Sequence, residues 1–270
     1  MPNIQHITMA EYQAAPGLSK SQLDDLHRSP AHYKWELEHP TEPTPAMIWG
    51  QMFHSLVLEP DVFEATYAVL PEGIDRRTRE GKEIWADWQL EHVGMTPVDK
   101  PSLDTLNAMR DAVFAHRLAR NLLVGGTPES SVFWTHTGHE VEAKARLDYI
   151  HGQRGLIADL KSCADARSEV FSRACWNYRY HVQAAYYLDA YKAVTGEALE
   201  DFLFVCVEKE PPHGVMLYLA DGEMVDQGRK EYRADLDVYC ECRDKEFWPC
   251  YPDTTFALTL PVWAQNANWG

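Results

Sequence analysis

Apolar positions change their period partway along this 270-residue chain. From residue 19 to residue 38, Leu23, Leu26, Tyr33 and Leu37 recur at helical spacings, and Ser19 or Ser21 can cap the first turn. The spacing predicts a helix there, followed by a stiff connection at Pro40, Pro43 and Pro45, because proline cannot continue a helix. A second helix is predicted from Ala46 to Leu58, closed by Glu59-Pro60, with further helices near 79–92 and 102–121 that end at Gly125-Gly126. The polar, basic stretch 71–82 lacks a period and reads as a surface loop.

Beyond residue 126 the pattern becomes two-fold. Ser131 to Trp134 is strand-like, and Glu140 to Ile150 alternates, with Val141, Ala143, Ala145, Leu147 and Tyr149 on one face and Glu142, Lys144, Arg146 and Asp148 on the other. The turn 151–155 leads into a strand from Leu156 to Lys161, which makes a hairpin. A helix over 167–193, strands at 201–208 and 214–220, and a helix over 222–245 follow, ahead of an irregular, proline-containing tail. This order predicts an α/β fold in which helices flank a central mixed β-sheet. No flexible linker separates two cores, so residues 1–270 read as a single domain. It divides into a mainly helical part (1–125), a sheet-and-helix core (126–220) and a C-terminal helix with its tail (221–270).

Composition narrows the class. Hydrophobic residues make up 45% and charged residues 24%, as in ordinary globular proteins. No apolar run approaches the roughly 18 residues of a membrane helix, and residues 1–6 do not resemble a signal peptide. With six cysteines read as reduced thiols, a cytoplasmic protein with no membrane partner is expected. The net charge of −16 argues against nonspecific coating of DNA but leaves room for one local phosphate-binding groove. The charge is uneven: residues 144–179 carry seven basic against four acidic side chains, whereas residues 221–253 carry ten acidic against five basic.

The candidate chemistry lies in the hairpin. Asp159 and Lys161 share a face of their strand, and the 151–155 turn brings Asp148 beside them. Two converging carboxylates repel unless a cation sits between them, and hard oxygen ligands select Mg²⁺ or Mn²⁺. A lysine two residues along can orient water or stabilise negative charge developing on phosphate. Taken alone, Asp-x-Lys is also a common surface ion pair.

Further motifs favour the chemical reading. They are Pro16-Gly17-Leu18-Ser19-Lys20-Ser21 and Arg28-Ser29-Pro30-Ala31-His32-Tyr33, then Gly50 to Pro60 with His54, and Asp75-Arg76-Arg77-Thr78. Glu129 to Trp134, Arg146-Leu147-Asp148-Tyr149, Asp159-Leu160-Lys161-Ser162 and Gln183-Ala184-Ala185-Tyr186-Tyr187 follow in order. In this set the sequence resembles the PD-(D/E)xK nuclease superfamily, RecB-type branch, and within it the exodeoxyribonuclease VIII (RecE-like) exonuclease family. The resemblance covers almost the whole chain and implies a restriction-endonuclease-like core.

By that resemblance Asp148, Asp159 and the Leu160 carbonyl bind metal, Lys161 is the catalytic lysine, and His54 and Glu129 complete the metal set. Gln183 and Tyr187, at i and i+4 on one helical face, assist catalysis. Arg28, Arg76, Arg77, Arg79, Lys144 and Arg146 are the expected DNA contacts, with Lys82 beside the arginine run. The implied cofactor is Mg²⁺ or Mn²⁺, one or two ions per site. An iron–sulfur cluster is not expected: such clusters take four thiolates, and Ser29 stands where one cysteine would be, so Cys240, Cys242 and Cys250 read as ordinary thiols. The implied activity is 5′-to-3′ exonucleolytic hydrolysis of double-stranded DNA ends to 5′-mononucleotides, leaving 3′ single strands for recombination. A tetrameric ring and a single-strand-annealing recombinase are the implied partners. Alternatives are an endonuclease or single-strand nuclease with the same site, and a catalytically silent DNA-binding assembly subunit. The intact Asp148, Asp159 and Lys161 argue against the last of these.

Overall fold

The computed structural model describes residues 4–75 and 77–259. A six-stranded sheet runs in the order β1 (Ile4–Gln5), β4 (Thr127–His136), β5 (Val141–His151), β6 (Leu156–Cys163), β7 (Asp201–Glu208), β8 (Val215–Leu219). Neighbours are antiparallel except β6 and β7. A parallel pair needs a crossover, and α9 (Ser168–Asn177) with α10 (Tyr180–Thr195) supplies it.

Two apolar clusters flank the sheet. One joins alternate residues of β5 and β7 (Val141, Ala143, Ala145, Leu147; Phe202, Phe204, Cys206) to α2 (Lys20–Arg28), α10 and α11 (Gly222–Lys245). The other takes the intervening positions, Ala158 and Leu160 of β6 and Val205 and Val207 of β7. These pack against α4 (Pro45–Leu58), α5 (Pro60–Thr66), α7 (Lys100–Ala115) and α8 (Arg117–Leu122). The result is the mixed α/β architecture that the change of period predicts. Tyr149, expected on the face of Leu147, packs with the second cluster instead.

The helix predicted near 79–92 is α6 (Arg79–Glu91), whereas three other predicted helices are each two. The 19–38 segment breaks at Ser29, where α2 ends and α3 (Pro30–Glu38) begins, with Pro30 at the first helical position. The 102–121 segment breaks at His116, between α7 and α8. The 167–193 segment breaks at Tyr178-Arg179, where Arg179 takes a left-handed φ of 52°. Burial explains that last break. Arg179 NH2 donates to Asp235 at 2.6 Å and NH1 to Asp24 at 3.0 Å, so the strained residue ties α10 to α11 and α2. Gly17 has φ +119°, and a Cβ there would lie 2.9 Å from the Ala143 carbonyl carbon. Only glycine permits this approach, which pairs Leu18 with β5 through the Leu18 N–H to Glu142 O and Lys144 N–H to Leu18 O bonds.

Short elements escape the periodicity: β1, α1 (Met9–Ala14), α5, and the two-stranded sheet of β2 (Tyr67–Val69) and β3 (Thr96–Val98). Among the described residues, no helix is long and apolar enough to cross a membrane.

Candidate metal centre and its surroundings

The β5–β6 hairpin has the predicted form. Tyr149 pairs with Ala158 and His151 with Leu156, and Gly155 closes the turn at φ +69°. The ladder stops at Tyr149, and just beyond it the buried Leu160 N–H donates to Asp148 Oδ2 at 2.9 Å. A side chain replaces a ladder partner where the strands part, and the carboxylates gather there.

A second irregularity aims Glu129. In the β4–β5 ladder Pro128 pairs with Tyr149 and Ser130 with Leu147, but the intervening Glu129–Asp148 pair is missing. Glu129 takes φ 44°, a left-handed conformation that a glutamate inside a strand adopts only when its surroundings impose it. Arg146 supplies part of that constraint, with Nε donating to Glu129 Oε2 at 2.6 Å and NH1 to Ile7 O at 2.7 Å.

His54 reaches the same point from α4. Its Nδ1 is 3.4 Å from Asp148 Oδ2 and 3.7 Å from Glu129 Oε1. One ligand atom from each of His54, Glu129 and Asp148 lies within 4.8 Å of the others. Neighbouring ligands of an octahedral ion with bonds of about 2.1 Å sit roughly 3 Å apart, so the spacing suits shared coordination better than direct hydrogen bonds. Two carboxylates with one imidazole form a donor set for a divalent metal ion.

Asp159 belongs to an adjoining arrangement. It is fully buried; Gln183 Nε2 donates to its Oδ1 at 2.6 Å, and Lys161 Nζ stands 2.5 Å from its Oδ2. That Oδ2 contact is an ion pair without hydrogen-bond alignment, and the buried oxygen has no other partner. An under-coordinated buried carboxylate oxygen fits a metal ligand. Lys161 also lies over the Tyr180 ring, 4.7 Å from its centroid. Tyr187 is half-buried, and burial, reinforced by Tyr12, Asp148 and Asp159, pushes its hydroxyl well above the usual tyrosine range.

Electrostatics follow from this crowding. Burial, then the Asp159 charge, pushes the Asp148 carboxyl up to about 7. Burial opposes a charged His54, but Asp148 and Glu129 outweigh it and lift the imidazole to about 9. Burial likewise opposes the Lys161 ammonium, which Asp159 and Asp148 nevertheless hold well above the usual lysine range. Excess negative charge is thus partly balanced by protons, the condition in which a divalent cation competes well.

The expected DNA contacts divide. Arg28 is exposed at the end of α2. Arg77 and Arg79 are also exposed, held by Asp75 and Glu83 at 2.9 Å. Arg76 lies outside the described residues. Lys144 and Arg146 require correction as DNA contacts. Lys144 is buried, and its Nζ donates to the carbonyls of Tyr12, Gln13 and Ala15. Arg146 is spent on Glu129, Ile7 and Ser131. Alternation put both opposite the apolar face of β5, yet the N-terminal segment covers that side as well. Ser29 Oγ bonds His32 Nδ1 at 2.6 Å and lies 3.9 Å from Cys250 Sγ, and all six cysteines are free thiols.

Tyr180 is the site residue that the sequence reading overlooks. Its signal was its place three residues before Gln183, on the same helical face. A cavity of about 320 Å³ lined by Phe171, Trp176, His181, Phe204, Tyr218 and Met224 is separate from the centre and contains none of its carboxylates.

The chain is similar to known proteins. The family described as "PDDEXK-like domain of unknown function (DUF3799)" matches residues 19–256. A Eubacterium rectale protein assigned provisionally as an exonuclease shares the fold at 13% identity, with a TM-score of 0.65 over 98% of this chain and 99% of that one. A phage-related exonuclease of Haemophilus somnus 129PT aligns at 12% identity over 72% of this chain and 95% of its own, with a TM-score of only 0.37. No curated protein is significantly similar to the chain.

Proposed function

Because the chain belongs to the PDDEXK-like family, we propose that it is a metal-dependent nuclease acting as an exonuclease on double-stranded DNA ends. The observation that carries this reading is the meeting of His54, Glu129 and Asp148 beside the buried Asp159–Lys161 pair. His54, Glu129, Asp148, Asp159 and the Leu160 carbonyl would hold one or two Mg²⁺ or Mn²⁺ ions. Such an ion supplies Lewis acidity at the phosphate and makes water a better nucleophile at neutral pH.

The chain's own residues do the rest. Asp148 also fixes the β6 backbone through Leu160 N–H, so ligand and scaffold are set by one carboxylate. Gln183 holds Asp159 in one orientation from α10. Lys161, kept protonated by the two aspartates, orients the attacking water and offers positive charge to the phosphate as charge accumulates there. Tyr187, one turn further along α10, is proposed to assist Gln183 from the same helical face. Arg28, Arg77 and Arg79, which are exposed and charged, are proposed to grip DNA phosphates, and Arg76 is proposed with them on the sequence alone.

The finer reading follows the resemblance to RecE-like enzymes: 5′-to-3′ polarity, 5′-mononucleotide products, a tetrameric ring and a single-strand-annealing partner. A ring would reconcile a net charge of −16 with DNA binding, because the outer surface can stay acidic while the channel does not. The deciding experiment digests linear and covalently closed duplex DNA with Mg²⁺ or EDTA, using wild type and Lys161→Ala. Metal-dependent loss of the linear form alone, abolished in the variant, is expected, and end-labelling then gives polarity. Cutting of closed circles would establish an endonuclease instead. Binding without cleavage would leave a silent subunit.

A further inference from the structure

The junction between α9 and α10 presents aromatic surface that metal binding leaves unused. Tyr178, the C-cap of α9, is 63% exposed, in a protein whose large apolar side chains are mostly packed. Its ring stacks on Tyr180 with centroids 5.6 Å apart and planes 30° from parallel. The Tyr180 ring in turn carries the Lys161 ammonium, 4.7 Å from its centroid. Phe171 and Phe204 support Tyr180 at 6.0 and 5.9 Å, so it is not free to swing away. The Tyr178 backbone is fixed as well, because Lys20 Nζ donates to its carbonyl at 2.7 Å. An exposed aromatic face is therefore held one ring away from the lysine that would meet the scissile phosphate, with a second cation, Lys20, at its base.

We propose that Tyr178 is the stacking platform for an unpaired nucleobase of the strand being cut, so that the centre receives a frayed or single-stranded nucleotide rather than an intact base pair. This deepens the nuclease reading and rests on it. A nucleobase has a π-face whatever its identity, so stacking holds successive nucleotides without selecting among them. That tolerance suits an enzyme that must hydrolyse every nucleotide in turn. A base still paired inside a duplex has both faces covered by its neighbours and cannot use the platform. Tyr180 is a positioning residue in this scheme: it sets the Tyr178 ring and the Lys161 ammonium at fixed places relative to each other.

The test uses duplex DNA with a short unpaired end carrying 2-aminopurine, at the 5′ or 3′ terminus in turn, with Ca²⁺ replacing Mg²⁺ to restrain cleavage. Wild type and Tyr178→Phe are expected to quench the probe at one terminus; Tyr178→Ala is expected not to. Tyr178→Ala should bind that end roughly tenfold more weakly. An abasic nucleotide at the same place should erase the difference between variant and wild type. Quenching unchanged in Tyr178→Ala, or equal weakening for intact and abasic ends, would overturn the proposal. So would a change in sedimentation caused by Tyr178→Ala, which would assign the ring to a contact between copies of the chain. Absence of DNA cleavage by wild type with Mg²⁺ or Mn²⁺ would remove the nuclease reading and this one together. Normal cleavage with unaltered quenching in the variant removes only the platform.

Discussion

At the scale of single residues, burial decides what a charge is for. Lys144 looks like a DNA contact in a basic stretch, yet its ammonium is used up by three carbonyls of the N-terminal segment. Lys144→Met should therefore leave those carbonyls without a donor and lower stability by about 1–3 kcal/mol. It should leave the salt dependence of DNA affinity unchanged, because no phosphate contact is lost. Chemical denaturation and binding titrated against salt check the two halves separately; a flatter salt slope would return Lys144 to the DNA surface. His136 gives a prediction in pH. Burial, reinforced by His139 and Arg233 and only partly offset by Asp189, depresses its imidazole to about 4, and its Nε2 has no hydrogen-bond partner. The unfolded chain takes up a proton near the ordinary 6.5, whereas the folded chain resists until about 4. The stability contribution is thus present above pH 6.5 and is lost as the pH falls towards 4, by about 2–3 kcal/mol at most. Denaturation of His136→Phe between pH 7 and 4 should show a shallower acid decline than wild type; parallel curves would rule the imidazole out as the cause.

At the scale of elements, α10 is the lever on the site, since it carries Tyr180, Gln183 and Tyr187. Its position depends on close contact with α11. A Cβ at Gly228 would lie 2.0 Å from the His181 carbonyl oxygen, and backbone cannot yield as a side chain can. Gly228→Ala should separate the two helices and cost about 1–3 kcal/mol, lowering Tm by roughly 2–10 °C. Cleavage should fall too, because Gln183 moves away from Asp159; thermal melting with a cleavage assay checks both. An unchanged Tm would mean that α11 is not seated as described. The same level shows what the sequence can and cannot reveal. The hairpin holding Asp148 and Asp159 was legible because alternation and a Gly-containing turn are local signals. The helix breaks at Ser29 and Arg179 were not, because apolar spacing runs through both. The break at Arg179 is imposed by long-range partners, Asp24 and Asp235. The convergence of His54 and Glu129 on Asp148 was legible only by resemblance, since no local pattern joins α4 to β4. The inward turn of Lys144 and Arg146 was hidden because period-two alternation separates two faces without saying whether a distant segment covers the second.

At the scale of the whole molecule, the metal centre is where the two halves of the fold meet. His54 comes from the helical part, Glu129, Asp148 and Asp159 from the sheet, and Gln183 from the crossover. An ion bound there links segments far apart in sequence, and the unfolded chain has no comparable site. Binding to the folded state alone stabilises by RT ln(1 + [M]/Kd), about 2.7 kcal/mol when the metal is present at a hundred times its Kd. Melting the protein across a Mg²⁺ or Mn²⁺ series should thus raise Tm by several degrees and then continue upward only logarithmically. Asp148→Asn should abolish the shift. In metal-free buffer the same variant should be no less stable than wild type, because the native carboxyl there is already pushed up towards neutrality by burial and by Asp159. His54→Gln should reduce the shift without removing it, since Glu129 and Asp148 remain. A loss that appears only with metal separates a ligand from a structural carboxylate: a residue that only braced the hairpin would lower Tm equally in both buffers. Equal losses would therefore count against coordination at Asp148, whatever the cleavage assay showed.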